Sequence, residues 1–304
     1  YWTRNPRLSA GPELPSISSL STSACNLIYL KARLHRKGDY RCDMHLVNRL
    51  YSAVTAIVLG CLALDAMACS TDAWDEVSGG VADSPSAIAR YSGLCAFALS
   101  SAGYVESERA SDQRYIARFY VLNGIEGSEA VVIFRAYSDD LATSALFEIS
   151  LNGSQFEINA GSAGGGSATA AAQPGWNLVE VDWASGGSMS YWINADSQTQ
   201  SATGTINSAG TGTVQSVRLG APDGLGGNSG TLTFDAFESH RSTPVGALLV
   251  GDADGDGVVN EADIGAIRQE FFENGLSVGT PDCNADGKVN SGDAVCVVNE
   301  GLGG

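Results

Sequence analysis

The run ALFEISLNGSQFEI, Ala145–Ile158, decides the class of fold. Apolar and polar residues alternate from Ala145 to Leu151, and Phe156 and Ile158 resume the alternation after Asn152-Gly153. A period of two places every second side chain on one face of a half-buried strand. Asn-Gly between two such runs is a strong short-range signal for a β-hairpin, because both residues accept positive φ cheaply. The expectation is a hairpin with its turn at Asn152-Gly153.

The same texture spreads outward. YIARFYVL (Tyr115–Leu122) and EAVVIFRAY (Glu129–Tyr137) precede the hairpin. WNLVEVDW (Trp176–Trp183), MSYWI (Met189–Ile193), VQSVRL (Val214–Leu219) and TLTFDAF (Thr231–Phe237) follow it. Short β-branched and aromatic runs separated by Gly, Ser, Asn and Asp, with no helical period between them, imply an all-β sandwich of roughly ten strands. Gly161–Ala172 (GSAGGGSATAAA) is low in complexity and reads as a loop. Pro244-Val245-Gly246 marks the end of the domain, giving a sandwich over 84–245 after a linker over 69–83.

The strand GWNLVEVDW, the SMSYWINA strand beside it and the closing TLTFDAFESHR strand resemble the concanavalin-like, laminin-G-like jelly-roll family. The resemblance implies two sheets with a concave face. Relatives bind glycans or proteins, and some are glycoside hydrolases. The laminarinase-type signature of that family is E-x-D-x-x-E on one strand, whose alternation turns its acids to one cleft. Here Glu180 and Asp182 begin it, but Ser185 stands third, so the acid/base is missing. The two acids read as outward polar residues of an amphipathic strand. His240, the one histidine after the apolar run described below, has no nucleophile motif beside it. Tyr191 and Trp192 are the candidate aromatic platform for a ligand, and strand alternation lets only one of the two join it.

A sharper motif follows the sandwich. In GDADGDGVVNEAD (Gly251–Asp263), Asp252, Asp254, Asp256, Gly257, Val258 and Asp263 occupy positions 1, 3, 5, 6, 7 and 12 of a calcium loop. Alternate carboxylates wrap a hard cation, the glycine permits the sharp turn, position 7 offers its carbonyl, and position 12 closes the shell with two oxygens. In PDCNADGKVNSGD (Pro281–Asp293), Asp282, Asn284, Asp286, Gly287, Lys288 and Asp293 fall in the same register. Lys288 serves through its carbonyl, so its charge is no obstacle. Asn260 and Asn290 both stand at position 9, a place often served through water. Two Ca2+ sites are expected.

Each loop leads into a helix and none enters it. Ile264, Ile267 and Phe271 share a face at helical spacing, and Asn274-Gly275 supplies a stop. This duplicated loop-then-helix arrangement over 246–304 resembles the type I dockerin family. The resemblance implies a module that docks on a cohesin-like protein or cell-surface component, often within polysaccharide-degrading assemblies. Positions 10 and 11 are Glu261-Ala262 and Ser291-Gly292, unlike the Ser-Thr pairing familiar in that family.

The N-terminal quarter reads as processing sequence. After residues 1–43, an upstream or disordered leader, Met44–Ala68 carries Arg49, an apolar run and Ala66-Met67-Ala68, the pattern of a signal peptide cleaved before Cys69. Val58-Leu59-Gly60-Cys61 offers a looser lipoprotein alternative. Cys69, Cys95, Cys283 and Cys296 then remain, an even set suited to disulfides in an exported chain. Sequence proximity favours Cys69–Cys95 and Cys283–Cys296. From Cys69 onward nine Lys/Arg face thirty Asp/Glu, a balance that excludes nucleic acid as a partner held by charge.

These readings combine into a secreted or cell-surface, non-catalytic calcium-binding protein. Its sandwich binds extracellular glycan or protein and its tail attaches it. A hydrolase of the same fold and a purely structural surface protein are the alternatives.

Overall fold

In the computed structural model, residues 71–83, 89–139, 144–161, 165–195, 200–208, 212–273 and 277–301 are described. The leader, the signal segment, Cys61 and Cys69 lie outside them.

Among the described residues, twelve strands form the sandwich. They are β1 (Glu76–Asp83), β2 (Phe97–Asp112), β3 (Arg114–Glu126), β4 (Val131–Tyr137), β5 (Ala145–Asn152) and β6 (Gln155–Asn159), then β7 (Ser167–Ala171), β8 (Trp176–Ala184), β9 (Ser188–Ile193), β10 (Gly204–Asn207), β11 (Val214–Ala221) and β12 (Ser229–His240). Hydrogen bonds link them in the order β10-β9-β8-β3-β12-β2-β11-β4-β5-β6-β7, with β1 added to β2.

That path folds back on itself. β12 and β2 pair over only Leu232–Phe234 against Phe97–Leu99, and the sheet turns there. β3 and β4 are four steps apart on the path, about 19 Å in a flat sheet. Their rings nonetheless meet: Phe119 lies 5.5 Å from Phe134. Phe147 of β5 likewise stacks 5.9 Å from Trp183 of β8. Two layers therefore face each other across an aromatic core, as the jelly-roll reading requires.

Several expectations are refined. In the Ala145–Ile158 hairpin, Asn152 pairs with Gln155, so the two-residue turn is Gly153-Ser154, one place beyond the expected pair. Gly153 takes the positive φ of 53°, while Asn152 stays on the strand and donates to Glu157. Part of the expected loop is strand: Ser167–Ala171 pairs with β6 residue for residue. Its alanines carry too little surface to show an alternation. Glu76–Asp83, assigned to the linker, is β1 and pairs along β2.

The strand faces settle the aromatic candidates. Met189, Tyr191 and Ile193 point into the core, and Trp192 points out. Tyr191 is thus a core residue, a correction that leaves Trp192 alone as an outward aromatic of that pair. Trp192 donates its indole N–H to the Gln200 carbonyl at 2.9 Å. It lies opposite Glu180 in the β8–β9 register, on the outer face of the sheet.

The chain does not drift away after β12. Leu248 N–H donates to the Tyr120 hydroxyl at 2.9 Å, and Arg118 donates to the Gly246 carbonyl at 3.1 Å. Helices α1 (Glu261–Glu273) and α2 (Ser291–Gly301) follow. Ala253, Ile267, Cys283 and Val297 form a small core between the loops and helices, with Ile264 and Phe271 packed against it. The Cys283–Cys296 disulfide, expected from proximity, closes this core. Cys95 is also disulfide-bonded.

Candidate metal centre

The first loop gathers its carboxylates. Asp252, Asp254 and Asp256 each bring an oxygen to within 4.8 Å of the others. Asp252 accepts the Gly257 N–H on Oδ2 at 3.0 Å, while its Oδ1 is buried and has no hydrogen-bond partner. A buried carboxylate oxygen left unpartnered beside two further aspartates is costly unless a cation completes it. The residues present therefore fit a divalent ion, and a hard oxygen-only donor set suits Ca2+.

The second loop repeats most of these contacts and differs at position 1, whose Oδ1 is partnered there. Gly287 N–H donates to Asp282 Oδ2 at 2.8 Å, as Gly257 does in the first loop. Asp286 N–H reaches both Asp282 Oδ1 and Asn284 Oδ1, which draws positions 1, 3 and 5 together. The Val258 and Lys288 carbonyls, the expected seventh-position donors, each accept an N–H from the asparagine two residues on.

Position 9 has a further job. Asn260 accepts the Ala262 N–H at 2.8 Å and Asn290 accepts the Gly292 N–H at 2.8 Å, so each caps the helix that follows its loop. Reciprocally, Asp263 Oδ2 accepts the Asn260 N–H and Asp293 Oδ2 accepts the Asn290 N–H, both at 2.7 Å. These are capping boxes with aspartate as the third helical residue. The aspartate at position 12 of each loop therefore also starts the helix that follows it.

Burial dominates the electrostatics of these acids. It pushes the Asp282 carboxyl up to about 7, and the neighbouring charges of Asp293 and Asp286 push the same way. Burial raises Asp252 and Asp293 as well. A divalent cation would reverse that trend by favouring the ionised form.

The loops rest on the outer face of the sandwich. Tyr91, Tyr120, Trp176, Leu178, Ala236 and Ala247 form a second apolar cluster there, with Ala285 of the second loop and Leu122 packed against it. Tyr91 and Tyr120 stack at 3.8 Å. Trp176 N–H donates to the Ala285 carbonyl at 2.8 Å, and Gly93 N–H donates to the Gly279 carbonyl at 2.9 Å. Arg90 and Glu270 make an ion pair at 2.5 Å with side chains 5% and 13% exposed. Asp235, fully buried at a bulge of β12, clamps the segment beneath by accepting from Tyr91 N–H at 2.6 Å and Ser92 N–H at 2.9 Å. Loss of solvent raises its carboxyl to about 6 against those backbone donors. Sequence reasoning missed this seat, because its hydrogen bonds to the loops run between backbone groups and its side chains follow no motif.

The same face holds the remnant of the hydrolase signature. Glu180 is 2% exposed and accepts the Val245 and Gly246 N–H groups at 2.7 and 2.9 Å. Asp182 forms a two-pronged pair with Arg114. The alternation of the strand predicts an outward polar surface for both acids. They do face outward from the sheet, but Glu180 is covered by the chain leaving β12.

A β-sandwich carrying a duplicated loop-helix module defines the class of protein. Residues 250–302 match the family model of the dockerin type I domain, whose members bind Ca2+. No curated protein matches the chain. Among solved structures, it is similar to the botulinum neurotoxin serotype G binding domain, with a TM-score of 0.40 and 9% identity over 55% of this chain. It is also similar to the binding domain of botulinum neurotoxin DC in complex with rat synaptotagmin II, at 0.41 and 11% over 55% of this chain. The chain spans 43% of the length of each of these two.

Proposed function

We propose that this is an exported, non-catalytic binding protein whose sandwich, from β1 at Glu76 to residue 245, meets extracellular glycan or protein. Its tail, over 246–304, holds two Ca2+ ions and attaches it to a cohesin-type partner. The observation that carries the reading is the first loop: three convergent aspartates around a buried, unpartnered oxygen, within the span that matches the dockerin type I domain. The ligands are Asp252, Asp254, Asp256, the Val258 carbonyl and Asp263 in one loop, and Asp282, Asn284, Asp286, the Lys288 carbonyl and Asp293 in the other. The Cys283–Cys296 bond suits an oxidising compartment, as does export at Cys69.

The non-catalytic part is supported by the fate of the two strand acids. Glu180 and Asp182 spend their oxygens on backbone N–H groups and on Arg114. A hydrolase needs such a pair free to face a sugar bond. Trp192 is the candidate sugar-stacking residue on the same sheet face.

Calorimetric titration of the chain from Cys69 with Ca2+ tests the reading. Two ions per chain are expected, falling to one in Asp282→Ala and in Asp252→Ala. A chain that takes up no Ca2+ would overturn it. A glycan array run with and without Ca2+ addresses the sandwich, and Trp192→Ala should remove any glycan signal.

A further inference from the structure

We infer that the sandwich is part of the second calcium site in energetic terms: the outer face of β3 and β8 holds the Asp282–Asp293 loop in shape, so Ca2+ uptake there and seating of the module strengthen each other. The inference rests on the reading that this loop holds Ca2+.

The two loops make an internal comparison. Position 4 is left-handed in both, at Gly255 with φ 75° and at Ala285 with φ 58°. Glycine accepts that conformation freely, whereas an alanine there is strained by about 1 kcal/mol. At Ala285 the strain is offset from outside the loop. Its carbonyl accepts the Trp176 N–H, and its methyl joins the apolar cluster on the sandwich. Ala285 sits between the ligands Asn284 and Asp286, so whatever fixes this residue orients both.

Position 6 differs in the same sense. A methyl group on Gly257 would meet nothing within 4 Å. On Gly287 it would come within 3.0 Å of Leu122 Cδ2, because β3 lies against the turn. The Arg90–Glu270 pair and the Gly93–Gly279 bond then tie α1 and the inter-loop segment to the same face. The first loop is linked to the sandwich at one remove, through Gly279 and Thr280, whose N–H groups bond to Ala253 and Asp252.

Without a cation, Asp282, Asp286 and Asp293 repel one another across the second loop. Displacing that loop breaks the Trp176 bond and uncovers Trp176, which is 3% exposed when seated. Thermodynamic linkage requires the converse: weakening the seat must weaken Ca2+ in this loop.

Tryptophan emission of the chain from Cys69, followed through a Ca2+ titration, tests the coupling. Chelation should shift the emission to the red, and Trp176→Phe should abolish most of that shift. Leu122→Ala, a change wholly on the sandwich, should weaken the step lost in Asp286→Asn by about tenfold. The step lost in Asp256→Asn should stay in place. Glu270→Gln provides a second, milder loosening of the seat with the same expected pattern. Two Ca2+ steps that neither Leu122→Ala nor Glu270→Gln alters, or an emission indifferent to chelation, would overturn the coupling while leaving Ca2+ binding intact. No Ca2+ uptake at all would remove the proposed function together with this inference.

Discussion

Gly257 and Gly287 offer a matched pair of substitutions. They hold the same loop position with φ of 87° and 88°, so an alanine meets the same backbone strain at each, about 1–2 kcal/mol. Their surroundings differ. Around Gly257 there is open space, whereas the added methyl at Gly287 would lie 3.0 and 3.2 Å from the two Leu122 Cδ atoms. Overpacking of this sort costs about 1–3 kcal/mol, and the flexible end of a half-buried leucine keeps it near the lower figure. Gly287→Ala should therefore destabilise by about 1 kcal/mol more than Gly257→Ala. Urea unfolding at saturating Ca2+, followed by circular dichroism, measures both. In a Leu122→Ala background the excess should vanish, because the obstructing atoms are gone. Equal losses for the two glycines, or an excess that survives Leu122→Ala, would refute the claim that β3 bears on the second loop.

Three further outcomes follow from the geometry. Glu180→Gln keeps the shape but turns an amide N–H toward one of two backbone donors, Val245 or Gly246. It should cost about 1–3 kcal/mol in thermal or urea unfolding and speed proteolysis between the sandwich and the tail. Asp235 should give a pH signature. Its native carboxyl titrates at about 6, above the ordinary 3.8, so between those values the folded chain holds a proton that the unfolded chain has released. Its contribution to stability accordingly falls as pH rises from 4 to 6. Asp235→Asn should flatten that part of the stability–pH curve and should also be less stable, having put an N–H among three backbone donors. Finally, Cys283→Ser should destabilise the tail by about 2–4 kcal/mol, because the bond closes a loop with a sequence separation of 13. Its effect should disappear in reducing buffer.

Strands that alternate strongly are legible in the sequence. WNLVEVDW and ALFEISL name their own inward faces, and Val179, Val181 and Trp183 do point into the core. Strands made of small or polar residues are not. SATAA and the long FALSSAGYVESERASD segment carry little alternation, and pairing with β6, β1 and β11 fixes them as strands. The loops are legible because metal coordination demands particular side chains at particular intervals. The asparagines at position 9 carry a second meaning, helix capping, that spacing alone does not separate from a metal role. The seat is invisible, since Ala285, Gly287, Gly279 and Gly93 take part through carbonyls, N–H groups and missing side-chain volume. No residue type advertises those.

The passage from β12 to the first aspartate loop leaves no slack. Arg241 is held by Asp112, Gly246 by Arg118 and Glu180, and Leu248 by Tyr120. A tethered module swings, and its cargo samples a cloud of positions set by linker length. Here a partner that grips the tail would take hold of the sandwich in one orientation, as a bracket fixes a shelf. Trp192 would then be presented at a fixed height and angle from the attachment point. Several such chains on one surface would align their faces without any contact between them.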